Sequence, residues 1–122
     1  MKIADFSVLM SVYYKEKPQF LKKALQSIDN QELFPSQIVI IKDGPLTNSL
    51  NLLLDNYKVK HPQVVTLVVN DRNRGLAFSL QRGLEFCRNN IVARADSDDI
   101  NYFNRFFLEF DFFPDLKLKC NT

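Results

Sequence analysis

The stretch Gln37-Ile38-Val39-Ile40-Ile41 narrows the choice of folds more than any other in this chain. Its β-branched apolar residues are consecutive, so neither face of a strand built from them suits water. A strand buried on both faces belongs to a parallel sheet covered by helices on each side. The run stops at Lys42-Asp43-Gly44-Pro45, a strong turn signal. The rest of the chain repeats the pattern. Residues 6–12, 64–69 and 91–95 read as three further strands. Pro18 opens a first helix with Phe20, Leu21, Ala24, Leu25 and Ile28 at helical spacing, ending near Asn30, and Pro35 marks the return loop. Leu46, Leu50, Leu53, Leu54 and Tyr57 share one face of a second helix, closed by His61-Pro62. Leu76, Ala77, Leu80, Leu84 and Cys87 form the stripe of a third. Phe103, Phe106, Phe107 and Phe110 recur at the spacing of a fourth, which ends at Phe112-Phe113-Pro114. Strands alternating with helices predict an α/β domain with a mostly parallel sheet.

The fourth strand runs into acids. Ile91-Val92-Ala93-Arg94-Ala95 is followed at once by Asp96-Ser97-Asp98-Asp99. Carboxylates this close disfavour one another's ionised form, and a divalent cation between them relieves the repulsion. Magnesium and manganese take such oxygen ligands and share them with a substrate's phosphates. One reading is a metal–phosphate site at the carboxyl end of a strand. The other is a solvated acidic loop in which Asp99 caps the next helix. Polar clusters also end the other strands, from Tyr13 to Glu16, at Asp43 and from Asn70 to Gly75. Open parallel sheets bind ligands beyond the carboxyl ends of their strands, where strand order reverses. That convergence argues for one shared site for a phosphate-bearing ligand.

Composition excludes several classes. A net charge of +2 without a polybasic run gives no sign of nucleic acid as a partner. Lys22-Lys23 reads as the wet face of a helix, and the phenylalanines after Phe103 lack the interleaved cations of a base-stacking platform. Cys87 and Cys120 form no metal or redox motif, and Cys87 reads as a small core residue. Asp5 interrupts the first apolar residues, which suits a first strand better than a signal peptide. No apolar run approaches the roughly 20 residues of a membrane span. The chain therefore reads as cytoplasmic, with a place at the inner face of the membrane open to it through other proteins. A P-loop, a G-x-G-x-x-G and a nucleophile elbow are all missing. His61, the lone histidine, reads as a surface residue rather than a base.

Three separated pieces carry a family resemblance. They are Ser7-Val8-Leu9-Met10-Ser11-Val12-Tyr13 with Glu16, Ile38-Val39-Ile40-Ile41-Lys42-Asp43-Gly44, and Asn73-Arg74-Gly75-Leu76-Ala77 leading to Ala93-Arg94-Ala95-Asp96-Ser97-Asp98-Asp99-Ile100. In this order they resemble the inverting family 2 glycosyltransferases of the GT-A fold. The resemblance covers nearly all of residues 6–113 and implies a Rossmann-like nucleotide-binding half with strand order 3-2-1-4 and helices on both faces. It implies transfer of a sugar from a nucleotide-diphosphate sugar, with a UDP-sugar as donor and a saccharide as acceptor, in cell-surface polysaccharide synthesis. Tyr13 and Glu16 would border the uracil or ribose, and Asp43 would hydrogen-bond the base. The Asn73-Arg74-Gly75 turn would close over the nucleotide. Asp96 and Asp98 would be the D-x-D pair, reaching the ribose and a magnesium or manganese ion, with Asp99 beside the sugar and close to the metal.

The chain departs from the family pattern at Tyr14 and Gln81, where Asn is frequent, and at Phe103, where proline is common. The resemblance also implies a second half with an acceptor site and an acidic general base, and no candidate base stands in this sequence. Residues 1–122 are expected to be a single donor-binding domain that stops before that half, with the Phe103 to Phe113 segment free to self-associate. Other readings stay open. A nucleotidyltransferase would carry a Gly-rich basic loop after the first strand, where this chain has Tyr13-Tyr14-Lys15-Glu16. A receiver-type signalling module would need acids at the end of that strand. A catalytically incomplete nucleotide-sugar-binding subunit fits the sequence as well.

Overall fold

The computed structural model describes residues 2–98. Asp99, Ile100 and the Phe103 to Phe113 segment therefore lie outside the described residues, and so do the expectations that rest on them. Seven elements follow one another: β1 (Lys2–Val12), α1 (Pro18–Asp29), β2 (Leu33–Lys42), α2 (Asn48–Lys60), β3 (Val65–Val69), α3 (Leu76–Leu84) and β4 (Val92–Arg94). The strands form one parallel sheet in the order β3-β2-β1-β4, as expected.

Each face of the sheet has its own core. Phe6, Val8, Met10 and Val12 of β1 and Ile38 and Ile40 of β2 pack with Leu21, Ala24, Leu25 and Ile28 of α1 and Leu50, Leu54 and Tyr57 of α2. The alternate residues Leu9, Val39 and Ile41, with Val68 and Val92, meet Leu80, Leu84 and Cys87 on the other face. Val8, Val39, Ile40 and Ile41 are wholly buried, each worth about 1.5–3 kcal/mol of transfer free energy. Ser79 and Gly83 are the buried residues of α3. A Cβ at Gly83 would come within 2.3 Å of Leu9 Cδ1, so α3 lies close on the sheet because Gly83 has no side chain.

Helix boundaries follow local chemistry. Pro18 stands at the start of α1, where its missing N–H costs nothing. Thr47 caps α2 by accepting the Leu50 N–H at 3.2 Å. Gly75 precedes α3 with φ +94° and ψ 164°, a region open essentially to glycine.

Four expectations need correction. Pro35 lies inside β2 opposite Ala4, not in a loop. It is tolerated there because the β1–β2 register shifts between Ala4 and Ser7, and proline is admitted at such bulges. Phe20 is 43% exposed, so the buried stripe of α1 begins at Leu21. Leu76 and Ala77 are exposed at the start of α3, and Leu76 lines the crevice described below instead of the core. His61 is not a free surface residue. Its ring centroid lies 5.2 Å from that of Phe34 and 5.0 Å from that of Tyr57, and Nε2 lies 3.0 Å from Asp29 Oδ1. That carboxylate also accepts from Tyr57 Oη at 2.9 Å and Lys60 Nζ at 2.8 Å, tying the end of α1 to the end of α2.

Candidate functional site

The sheet ladder delivers the polar clusters to one rim. The Asp43 N–H bonds the Val12 carbonyl at 2.8 Å, and the Asn70 N–H bonds the Lys42 carbonyl at 2.9 Å. β4 separates earlier: its last ladder bond runs from the Ala95 N–H to the Leu9 carbonyl at 3.0 Å, while β1 continues to Val12. The acids therefore leave the sheet short of the end of β1. The gap opens between β1 and β4, where the chain's order reverses from β2 on one side of β1 to β4 on the other.

A crevice of about 400 Å³ fills that gap. Ser11, Tyr13 and Glu16 line it from the β1 side, Asp43 from β2, Asn73, Gly75 and Leu76 from the approach to α3, and Arg94, Asp96, Ser97 and Asp98 from β4. The expected residues Tyr13, Glu16, Asp43, Asn73, Gly75, Asp96 and Asp98 thus meet around one cavity. Arg74, also expected there, does not line the cavity: its N–H bonds Asp43, and its guanidinium lies 4.4 Å from the Phe78 ring centroid and 3.4 Å from Asp71. Ser11, Leu76, Arg94 and Ser97 were not expected. Ser97 had a legible signal, since a small hydroxyl sits between two acids. Arg94 had one too, as a cation two residues before Asp96 in a strand.

Asp43 is only 3% exposed, and its carboxylate is much engaged. Oδ1 accepts the Arg74 N–H at 2.7 Å and Asn70 Nδ2 at 3.0 Å, and Oδ2 accepts the Gly75 N–H at 3.0 Å. A carboxylate offers about four acceptor positions, so Oδ2 retains capacity for a ligand donor. The loop presses close here. A Cβ at Gly44, whose φ is +89°, would stand 2.6 Å from the Asn73 nitrogen.

On the opposite wall, Ser97 Oγ donates to Glu16 Oε2 at 3.1 Å and links the loop after β1 to the loop after β4. Burial pushes the Glu16 carboxyl above its ordinary value, the Ser97 hydrogen bond opposes this, and the charge of Asp98 adds to the rise. Arg94 holds Asp96 Oδ1 through Nε at 3.1 Å and Nη2 at 3.1 Å. Among the described residues no three metal-ligating side chains form a ready cluster. Glu16, Asp96 and Asp98 nevertheless line one cavity, and Asp98 is exposed to it. A hard cation bound through one or two carboxylates and a substrate's phosphates fits this donor set, whereas an all-protein cage does not.

The model of glycosyl transferase family 2 matches residues 7–110. The chain belongs to that family. This family 2 domain is 42% identical over 107 residues to the UDP-Gal:alpha-D-GlcNAc-diphosphoundecaprenol beta-1,3-galactosyltransferase of Escherichia coli, covering 88% of this chain and 38% of that protein. It is 43% identical over 101 residues to the amylovoran biosynthesis glycosyltransferase AmsE of Erwinia amylovora, covering 83% and 37%. The family 2 domain thus spans less than two-fifths of the length of these relatives. Residues 1–349 of S. aureus TarS in complex with UDP superpose with a TM-score of 0.75 at 21% identity, over 92% of this chain and 32% of that one. The Pyrobaculum calidifontis mannosyltransferase PcManGT, solved with GDP-Man and Mn2+, gives 0.69 at 23% identity, over 84% and 30%. At these identities the structures show the shared GT-A fold, in agreement with the expected fold class.

Proposed function

We propose that the chain is the donor-binding part of a glycosyltransferase that moves a sugar from a nucleotide-diphosphate sugar, a UDP-sugar, to a saccharide acceptor in cell-surface polysaccharide synthesis. The supporting observation is the crevice itself. Residues from four separated segments, Glu16, Asp43, Asn73 with Gly75, and Asp96 to Asp98, line one cavity at the switch point of the sheet. The two curated relatives described above are named for sugar transfer and for amylovoran biosynthesis, which supports the activity. The work is proposed to take place at the cytoplasmic face of the membrane. None of the described helices is long and apolar enough to cross it.

The residues divide the donor between them. Tyr13 and Glu16 border the base and ribose. Asp43 presents the remaining capacity of Oδ2 to the base and holds the Arg74 and Gly75 amides. The 73–75 turn covers the nucleotide. Asp96 reaches the ribose, with Arg94 fixing its carboxylate. Asp98, with Asp96 and Asp99, is proposed to hold magnesium or manganese together with the diphosphate. Bound there, the cation would neutralise the charge that the departing nucleoside diphosphate gains. No residue of this chain is assigned to removing the acceptor's proton.

Titration calorimetry with UDP tests this reading. Binding is expected with manganese and is expected to vanish in a chelator. Asp98→Ala should abolish the metal-dependent part, since the remaining carboxylates hold the cation less well. Equal affinity with and without the chelator would sink the metal assignment, and no binding under either condition would sink the nucleotide reading.

A further inference from the structure

Asp43 holds the Arg74 and Gly75 amides in the turn beside the crevice, and something must hold Asp43. That partner is Asn70, which is 1% exposed and lies one residue past the end of β3. Its amide is engaged at both ends. Nδ2 donates to Asp43 Oδ1 at 3.0 Å and to Ser79 Oγ at 2.9 Å. Oδ1 accepts from Arg82 Nη1 at 2.7 Å, and Arg82 Nη1 also reaches the Val69 carbonyl at 2.8 Å. The chemistry admits one orientation only. An ionised carboxylate only accepts, so Nδ2 must face Asp43, and a guanidinium only donates, so Oδ1 must face Arg82.

We infer that Asn70 is a positioning residue for the nucleotide clamp, acting through Asp43. Resting on the reading of the crevice as a nucleotide site, the inference adds a relay from α3 to the rim. Arg82 fixes Asn70, Asn70 fixes Asp43, and Asp43 fixes the Arg74 and Gly75 amides. The relay uses side chains from α3, the β3 end and the β2 end, so it locks three elements at the point where the wall turns. A wall ordered in advance loses less freedom when a ligand arrives, and that saving appears as affinity. Asn70 itself does not line the crevice. Its effect on a ligand is therefore indirect.

The test combines site-resolved amide exchange with UDP titration in manganese, on the full chain. In the wild type the Arg74 and Gly75 amides should exchange slowly. In Asn70→Ala they should exchange about tenfold faster or more, and UDP should bind about tenfold more weakly, a change of about 1.4 kcal/mol. Amides in the centre of β1 and β2, such as Val8 and Ile40, should stay slow in both, which separates a local loosening from general destabilisation. Arg82→Ala removes the outer end of the relay at the protein surface and serves if Asn70→Ala does not fold. It should loosen the same two amides to a smaller degree, and Arg82→Lys should restore part of the loss. Unchanged exchange at Arg74 and Gly75 in these variants overturns the inference. So does faster exchange with unaltered UDP affinity. A wild type that binds no UDP while its variants show the exchange pattern overturns the nucleotide reading and leaves the tether itself supported.

Discussion

Gly44 and Gly75 both have positive φ, yet they differ in what a side chain would meet. At Gly44 a Cβ would collide with the backbone of Asn73 and Arg72, whereas at Gly75 it would meet nothing within 4 Å. Gly75→Ala should therefore cost only backbone strain, about 1–3 kcal/mol. Gly44→Ala should cost about 2–4 kcal/mol, since the loop must also retreat. Urea denaturation of the two variants checks the difference, and equal losses would contradict the close approach of the 72–73 backbone. Glu16 offers a second test. Its carboxyl titrates higher in the folded protein than in the unfolded chain, so the folded state binds the proton more tightly. This contribution to stability is complete below the ordinary carboxylate value and is lost as pH rises through the raised value. The difference in melting temperature between wild type and Glu16→Gln should follow that course, with the variant gaining on the wild type as pH rises. A difference that does not vary with pH would refute it. The place of Asp96 and Asp98 at the crevice was legible because they follow an apolar strand directly, although their spacing alone suited a solvated acidic loop equally well. Asn70 was not, because a buried amide between opposite charges looks like any loop asparagine until the fold brings Asp43 and Arg82 to it.

At the scale of elements, strands buried on both faces were the easiest to read, since consecutive β-branched residues leave little choice. Helix α3 was harder. Its periodic apolar residues pointed to a stripe beginning at Leu76, but the buried positions are Ser79 and Gly83, and Leu76 borders the crevice. Periodicity reports which residues avoid water, and a small residue chosen for close packing does not announce itself that way. Gly83→Ala brings a methyl against Leu9 and Ile41 and should destabilise by about 1–3 kcal/mol despite alanine's better helix propensity. A gain in melting temperature would show that α3 lies further from the sheet. Cys87 packs beside the same helix, and burial pushes its thiol up to about 11. Alkylation of Cys87 near neutral pH should consequently be slow in the folded protein and fast in denaturant, as peptide mapping would show.

At the scale of the whole molecule, the described residues form a sheet whose two central strands, β1 and β2, are flanked by β3 and β4 and sandwiched between α1 with α2 and α3. Exchange protection should follow that arrangement, greatest at Val8 to Met10 and Val39 to Ile41 and lower in β3 and β4 at the edges. The shared rim was legible from strand ends alone, because parallel strands put all their carboxyl ends on one side. The early departure of β4 was not, since the point at which a strand leaves its neighbour depends on tertiary pairing. One irregularity has a bearing on descent. The β1–β2 register shifts between Ala4 and Ser7, at the entry of β1 and far from the crevice. A residue gained or lost between Ala4 and Phe6 changes the size of that bulge and goes no further. A residue gained after Val8 turns every later side chain to the opposite face and carries Ser11 and Tyr13 away from the crevice. Lineages of this fold are therefore free to drift in the length of the leading arm, while the frame of β1 from the buried Phe6 onward is closed to insertion.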